Sequence, residues 1–262
     1  VALSFLDVFG IILIAAVVGG GSAGLLGIFV VGMRMPFLAV GAAHFALAGA
    51  VFGEVAGLPH QPCAFVGAVI GAGALGAVLR RRTLDPNLAI GVLFSLSMGL
   101  AFLGIGLAEG PRSSLLGLLW GSLLFVNTQQ LVLIVACAVA LVVFVVAFDA
   151  RLRAMLFSRE LAAALFNEAL LFGLFLVLAS AVITVNLETV GGLMLYSLIS
   201  NPAVAALKVA RSYGSALILG SAFGSLSALG GFLIAYWFDL PAGACIVLVS
   251  SALVGVVLWR YR

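Results

Sequence analysis

Apolar residues occur in long blocks separated by short polar connections. The blocks cover about 5–31, 37–57, 63–79, 87–108, 129–148, 165–185, 189–207, 213–237 and 243–259. Most approach the ~20 residues that carry a helix across a bilayer. They lack the strict two-residue alternation of a membrane barrel strand, so helices are predicted. The stretch 114–125, SLLGLLWGSLLF, is too short to span and reads as a half-helix dipping in from one face. Irregular backbone around such an element has to line a cavity or be packed in protein. The expected fold class is an all-α integral membrane protein. It is a polytopic bundle of about eight to ten transmembrane helices with a short re-entrant half-helix, forming one domain over 1–262.

Composition narrows the function classes. Hydrophobic residues make up 65% of the chain and charged residues 8%, against roughly 25% charged in soluble domains. A water-soluble enzyme, a disordered chain and a nucleic-acid binder are excluded. The 32 glycines suit helices that pack closely in lipid. Cys63, Cys137 and Cys245 show no paired spacing, so neither a disulfide framework nor a Cys-rich metal site is indicated. The stretch 1–31 lacks the basic start of a cleavable signal peptide and is read as a mature span.

Basic residues set an orientation. Arg34, Arg80, Arg81, Arg82, Arg151, Arg153, Arg159, Lys208, Arg211, Arg260 and Arg262 fall in alternate connections or at the C-terminus, and Arg112 alone falls on the other side. Nine spans then place the N-terminus outside and the C-terminus in the cytoplasm. The largest inner connection, 149–165, mixes Asp149, Arg151, Arg153, Arg159 and Glu160 with Leu152, Met155, Leu156 and Leu161. It reads as a short amphipathic helix on the inner face, either resting on the membrane or docking a cytoplasmic partner. There is no phosphate-binding loop, Lys208 is the only lysine, and no H-E-x-x-H or G-x-S-x-G motif occurs. A relay of buried carboxylates, such as ion-driven carriers use, is also missing. Energy for any transport has to come from a partner.

Several stretches, taken in order, resemble the permease subunits of zinc- and manganese-type ABC importers. Residues 24–49, GLLGIFVVGMRMPFLAVGAAHFALAG, are similar to the family's G-x-x-G-x-F-V-V followed by D-x-x-S-H-x-x-L-x-G. Residues 89–106 contain AIGVLFS, and 118–126 read LLWGSLLFV. Residues 190–206 contain VGGLML and NPAVAA, and 235–247 read AYWFDLPAGACIV, close to S-Y-x-L-D-L-P-S-G-A-x-I-V. The resemblance implies a multi-pass protein of the bacterial inner membrane that is not an enzyme. It implies a second permease copy, a cytoplasmic ABC ATPase dimer where ATP is hydrolysed, and an extracytoplasmic metal-binding protein. No cofactor is expected to stay bound; zinc or manganese is the cargo. The 149–165 segment maps onto the ATPase-coupling helix, with Phe157, Glu160 and Ala162 fitting the loose F-x-x-E/D-x-A pattern beside Arg153 and Arg159.

His44 is the only histidine inside a predicted span and lies roughly 14 Å beyond Met35. Intramembrane ionisable groups are costly and mark transport paths, and the family histidine aligns here. A histidine satisfied by a backbone carbonyl of a neighbouring helix is the plainer account. The family acid four residues earlier is Val40 in this chain, which leaves one strong ligand per subunit. Glu54, His60, Cys63 and Asp239 are candidates for a site at the outer mouth of the path, or simply ring a solvated opening. The expected function is ATP-driven import of a divalent transition metal by alternating access, zinc ahead of manganese because neutral imidazole suits zinc. The rivals are an ABC permease for a metal chelate or other small solute, and a stand-alone carrier or channel.

Overall fold

The structure is a computed structural model and describes residues 5–35, 37–80, 86–108, 123, 126–191 and 194–261. The described residues form α1 (Phe5–Gly32), α2 (Phe37–Val55), α3 (His60–Arg80), α4 (Pro86–Leu107), α5 (Thr128–Ala147), α6 (Asp149–Phe157), α7 (Arg159–Leu165), α8 (Glu168–Val190), α9 (Leu195–Val209), α10 (Tyr213–Phe238) and α11 (Ala242–Arg260), with no strand among them. Seven of these, α1, α2, α3, α5, α8, α10 and α11, are long and apolar enough to cross a membrane. The fourth predicted span is α4, whose described apolar part, Gly91–Leu107, is shorter. The seventh is α9. At 15 residues it is ~22 Å long, less than the ~30 Å hydrocarbon core. Its boundary also differs from expectation: α8 continues to Val190 and stops at Gly191, whose φ of 92° lies outside the range open to most residues. The predicted half-helix 114–125 lies outside the described residues except for Leu123, which is buried.

Among the described residues, two pairs of helices meet backbone to backbone with glycine on both sides. On α1, Gly20, Gly24 and Gly27 share a face. A methyl group at Gly24 would strike the carbonyl oxygen of Gly220 on α10, one at Gly224 would strike that of Gly20, and one at Gly27 would strike that of Ile199 on α9. Small residues at this spacing let helices approach closely and gain dispersion contacts, since lipid offers no hydrophobic drive to associate. The Ser225 hydroxyl donates to the Val17 carbonyl at 2.7 Å and fixes the register of the α1–α10 crossing. The second pair is α2 with α3, where Gly49 faces the carbonyl oxygen of Cys63 and Gly67 faces that of Phe45.

α8 packs against α3 and α5 and reaches α1 and α2. Its buried Phe172, Phe175, Leu176, Ala179, Val182 and Ile183 belong to the main core, and Phe175 lies 6.0 Å, centroid to centroid, from Phe29 of α1. On the other flank Asn201 of α9 donates to the hydroxyls of Ser250 and Ser251 of α11, both at 3.1 Å. As a result α2 is enclosed almost all round: its buried residues run nearly unbroken from Leu38 to Gly53. The chain enters α2 from α1 through a tight turn in which Arg34 takes φ 58° and the Met35 amide donates to the Val30 carbonyl at 2.8 Å.

The crossings make a stability prediction. Gly24→Ala is expected to lower the thermal midpoint of the detergent-solubilised protein, a loss of about 1–3 kcal/mol from forced separation of the helices. Gly255→Ala on α11, where nothing lies within 4 Å of the added carbon, is expected to leave the midpoint unchanged. Dye-monitored melting of the two variants checks this.

Candidate translocation site

His44 sits near the middle of α2 and is only 3% exposed. Its Nδ1 is 2.8 Å from the Val40 carbonyl oxygen, one turn back on the same helix. A carbonyl only accepts, so Nδ1 carries the proton and Nε2 presents its lone pair. Nε2 is buried and has no hydrogen-bond partner among the described residues. The plainer account expects a carbonyl of a neighbouring helix; among the described residues one ring nitrogen instead meets its own helix's carbonyl and the other meets no hydrogen-bonding group. The imidazole meets the ring of Phe94 on α4 edge-on, with centroids 4.8 Å apart. Val40, standing where the resemblance expects an acid, contributes only its backbone oxygen, and that oxygen orients the ring.

The four outer candidates do not gather. Among the described residues, no group of three or more His, Cys, Asp and Glu is placed to hold a metal ion. Glu54 and His60 are exposed at the α2–α3 turn. Cys63 packs against Gly53, where an added carbon would lie 2.8 Å from its sulfur. Asp239 ends α10 in a left-handed conformation, φ 52° and ψ 46°, which short polar side chains tolerate. Its neighbour Leu240 donates to the Ala235 carbonyl at 3.0 Å, so this region forms a closed helix end.

The inner connection differs from the single helix expected over 149–165. It breaks at Ser158, which is extended (φ −159°, ψ 121°) and caps α7 by accepting from the Leu161 amide at 3.3 Å. A serine that can cap competes with helix continuation, which explains the break. Leu152 and Met155 of α6 and Ala162 of α7 are buried in the core, whereas Phe157 is 85% exposed and Leu161 and Leu165 are exposed with it. The Arg153 Nη2 lies 2.6 Å from Asp149 Oδ2, and its guanidinium stacks 4.7 Å over the Tyr213 ring at the start of α10. The ion pair is exposed and by itself adds little; the stacking is what joins α6 to α10. The side chains of Arg159 and Glu160 lie outside the described residues, as do Arg81, Arg82 and Arg112.

Phe94 and the Arg153–Tyr213 stack escaped sequence reasoning. A phenylalanine in an apolar run carries no local signal of a long-range contact. Tyr213 begins a helix and looks like an ordinary interfacial aromatic.

Among the described residues, an apolar helical bundle encloses one mid-helix imidazole, a build that suits a membrane permease. The chain belongs to the ABC 3 transport family, which matches residues 7–260. It is 29% identical over 240 residues to the "Uncharacterized membrane protein slr2045" of Synechocystis sp., covering 91% of this chain and 85% of that one. It is 26% identical over 240 residues to the "Manganese transport system membrane protein MntC" of Listeria monocytogenes, with the same two coverages. Among solved structures it superposes on a chain of "PsaBC from Streptococcus pneumoniae in complex with Fab" with a TM-score of 0.86 and 25% identity. That match covers 98% of this chain and 91% of the other.

A buried nitrogen without a partner is a standing cost of about 1–3 kcal/mol. His44→Leu, which removes that atom while filling similar space, is therefore expected to raise the thermal midpoint of the purified protein. A fall in the midpoint would show that the imidazole stabilises its surroundings.

Proposed function

We propose that this chain is the membrane-spanning subunit of an ATP-driven importer for a divalent transition metal, working by alternating access in the bacterial inner membrane. The observation that carries the reading is His44: a mid-helix imidazole with its tautomer fixed by Val40 and its Nε2 free of any hydrogen bond among the described residues. Membership of the ABC 3 transport family and the manganese-transport name borne by the Listeria relative support it. A lone imidazole favours zinc on ligand chemistry, whereas manganese prefers carboxylates, and none is added at position 40. Metal competition decides the order of the two.

The proposed assembly holds a second permease copy, a cytoplasmic ABC ATPase dimer and an extracytoplasmic metal-binding protein. Exposed Phe157, Leu161 and Leu165 on the basic inner segment support docking of the ATPase there. The proposed topology has nine passes with α4 and α9 included, the N-terminus outside and the C-terminus in the cytoplasm. The charge asymmetry supports this orientation. The absence of an acid at Val40 favours a second cargo class, a metal chelate whose own ligands complete the coordination.

In proteoliposomes with both partners, His44→Ala is expected to reduce zinc and manganese uptake at least tenfold while ATP hydrolysis persists. Val40→Asp is expected to tighten metal binding and slow release, since a stronger midway site holds its ion longer. Normal metal uptake by His44→Ala would transfer the weight to the chelate.

The docking surface is tested separately. Phe157→Ser with Leu161→Ser is expected to weaken co-purification of the ATPase several-fold without lowering the thermal midpoint of the permease. Undiminished co-purification would place docking elsewhere.

A further inference from the structure

His44 is shut in, and the residue that closes it in belongs to a helix that, among the described residues, packs mainly on one neighbour. Phe94 presses its ring against the imidazole from α4. Among the described residues α4 leans on α2 and more lightly on α3. The outer part of its contact with α2 is a small cluster, Leu47, Ala48 and Val51 with Ala101 and Ile105, separate from the main core. Its foothold on the main core is the partly buried Leu93. Val92, Leu96, Phe102, Leu103 and Leu107 of α4 are exposed. The buried Ser97 hydroxyl donates to the Phe94 carbonyl at 2.8 Å, a back-bond that softens a helix locally.

An ion can reach Nε2 in two ways: α2 turns, or α4 withdraws. Turning α2 breaks the Gly49–Gly67 backbone contact with α3 and disturbs a helix buried nearly all round. Withdrawing α4 opens, among the described residues, one small cluster, the Leu93 foothold, the lighter contact with α3 and one ring contact. Elements with few buried contacts open at the lowest cost. We propose that α4 is the gate over the His44 site and that Phe94 is its plug. The ring seals the imidazole in the state seen here, and a cation reaches Nε2 only when α4 leaves α2. The inference rests on reading His44 as a ligand of the path.

The test uses the whole complex in proteoliposomes, with native cysteines replaced. Diethylpyrocarbonate modifies imidazole nitrogen, and the chain holds only two histidines, His44 and His60. His60 is exposed and serves as the internal reference. Without nucleotide, His44 is expected to react at least tenfold more slowly than His60, as read by peptide mass spectrometry. Phe94→Ala is expected to raise the His44 rate at least tenfold and leave the His60 rate unchanged.

A second arm pins the gate without touching the plug. A carbon added at Gly104 would lie 3.4 Å from the Val51 Cβ, close to the ~3.5–4.5 Å of disulfide-bonded pairs. The variant Val51→Cys with Gly104→Cys is therefore expected to cross-link α2 to α4. Oxidised, it should stop zinc uptake and keep His44 slow to react even with ATP; dithiothreitol should restore both. Equal reactivity of the two histidines in the unsubstituted chain, an unchanged His44 rate in Phe94→Ala, or full uptake by the oxidised pair would each overturn the gate. Uptake that survives His44→Ala removes the path reading instead and leaves the shielding result standing, so the two failures are told apart.

Discussion

Close approach of helix backbones at glycine is the constraint on which this molecule rests. Helices gain nothing in lipid by hiding apolar side chains, so they need dispersion contact at short range. Gly20, Gly24, Gly220 and Gly224 provide that contact between α1 and α10, and Gly49 and Gly67 provide it between α2 and α3. With both pairs drawn tight, α8 fills the space between them with Phe172, Phe175 and Leu176. The enclosure of α2 follows from this arrangement.

Enclosure makes His44 chemically informative. On a lipid-facing helix an imidazole can tilt towards water or headgroups. In the interior of the bundle it has no such recourse, and α2 satisfies only Nδ1, through Val40. The remaining nitrogen is a local inconsistency in an otherwise apolar stretch, and such inconsistencies concentrate where proteins work. Phe94 covers the imidazole with an edge-on ring contact and offers no hydrogen bond.

Hydropathy located each of the long helices, because burial in lipid imposes the same apolar rule at every position of a span. It was less informative where the rule changes. Between α8 and α9 the apolar run does not pause at the turn, so the break was placed several residues before Gly191, where the backbone turns out of the helix. In the inner connection, charge and apolar spacing predicted one helix, and the capping chemistry of Ser158 divided it. His44 was legible because ionisable residues are rare in spans. Phe94 was not, because its partner is fifty positions away and its type is common. Glycine abundance was visible from composition, but which glycines face each other depends on helix pairing, and pairing is a tertiary property. The outer candidates were selected by residue type alone, and the α2–α3 turn and the end of α10 hold them in separate local roles.

The fastening of α6 determines where a mechanical load enters the bundle. Leu156 lies against Gly32 at the end of α1, and Arg153 stacks on Tyr213 at the start of α10. A load entering at the inner segment would therefore meet first the two helices already clamped together at their glycine crossing. α2 adjoins this block through the short turn at Arg34 and through its packing on α8 and α9. The contacts of the inner segment and the buried imidazole thus lie in different parts of the protein, joined by a turn of a few residues and by the packing of α8 and α9 on α2.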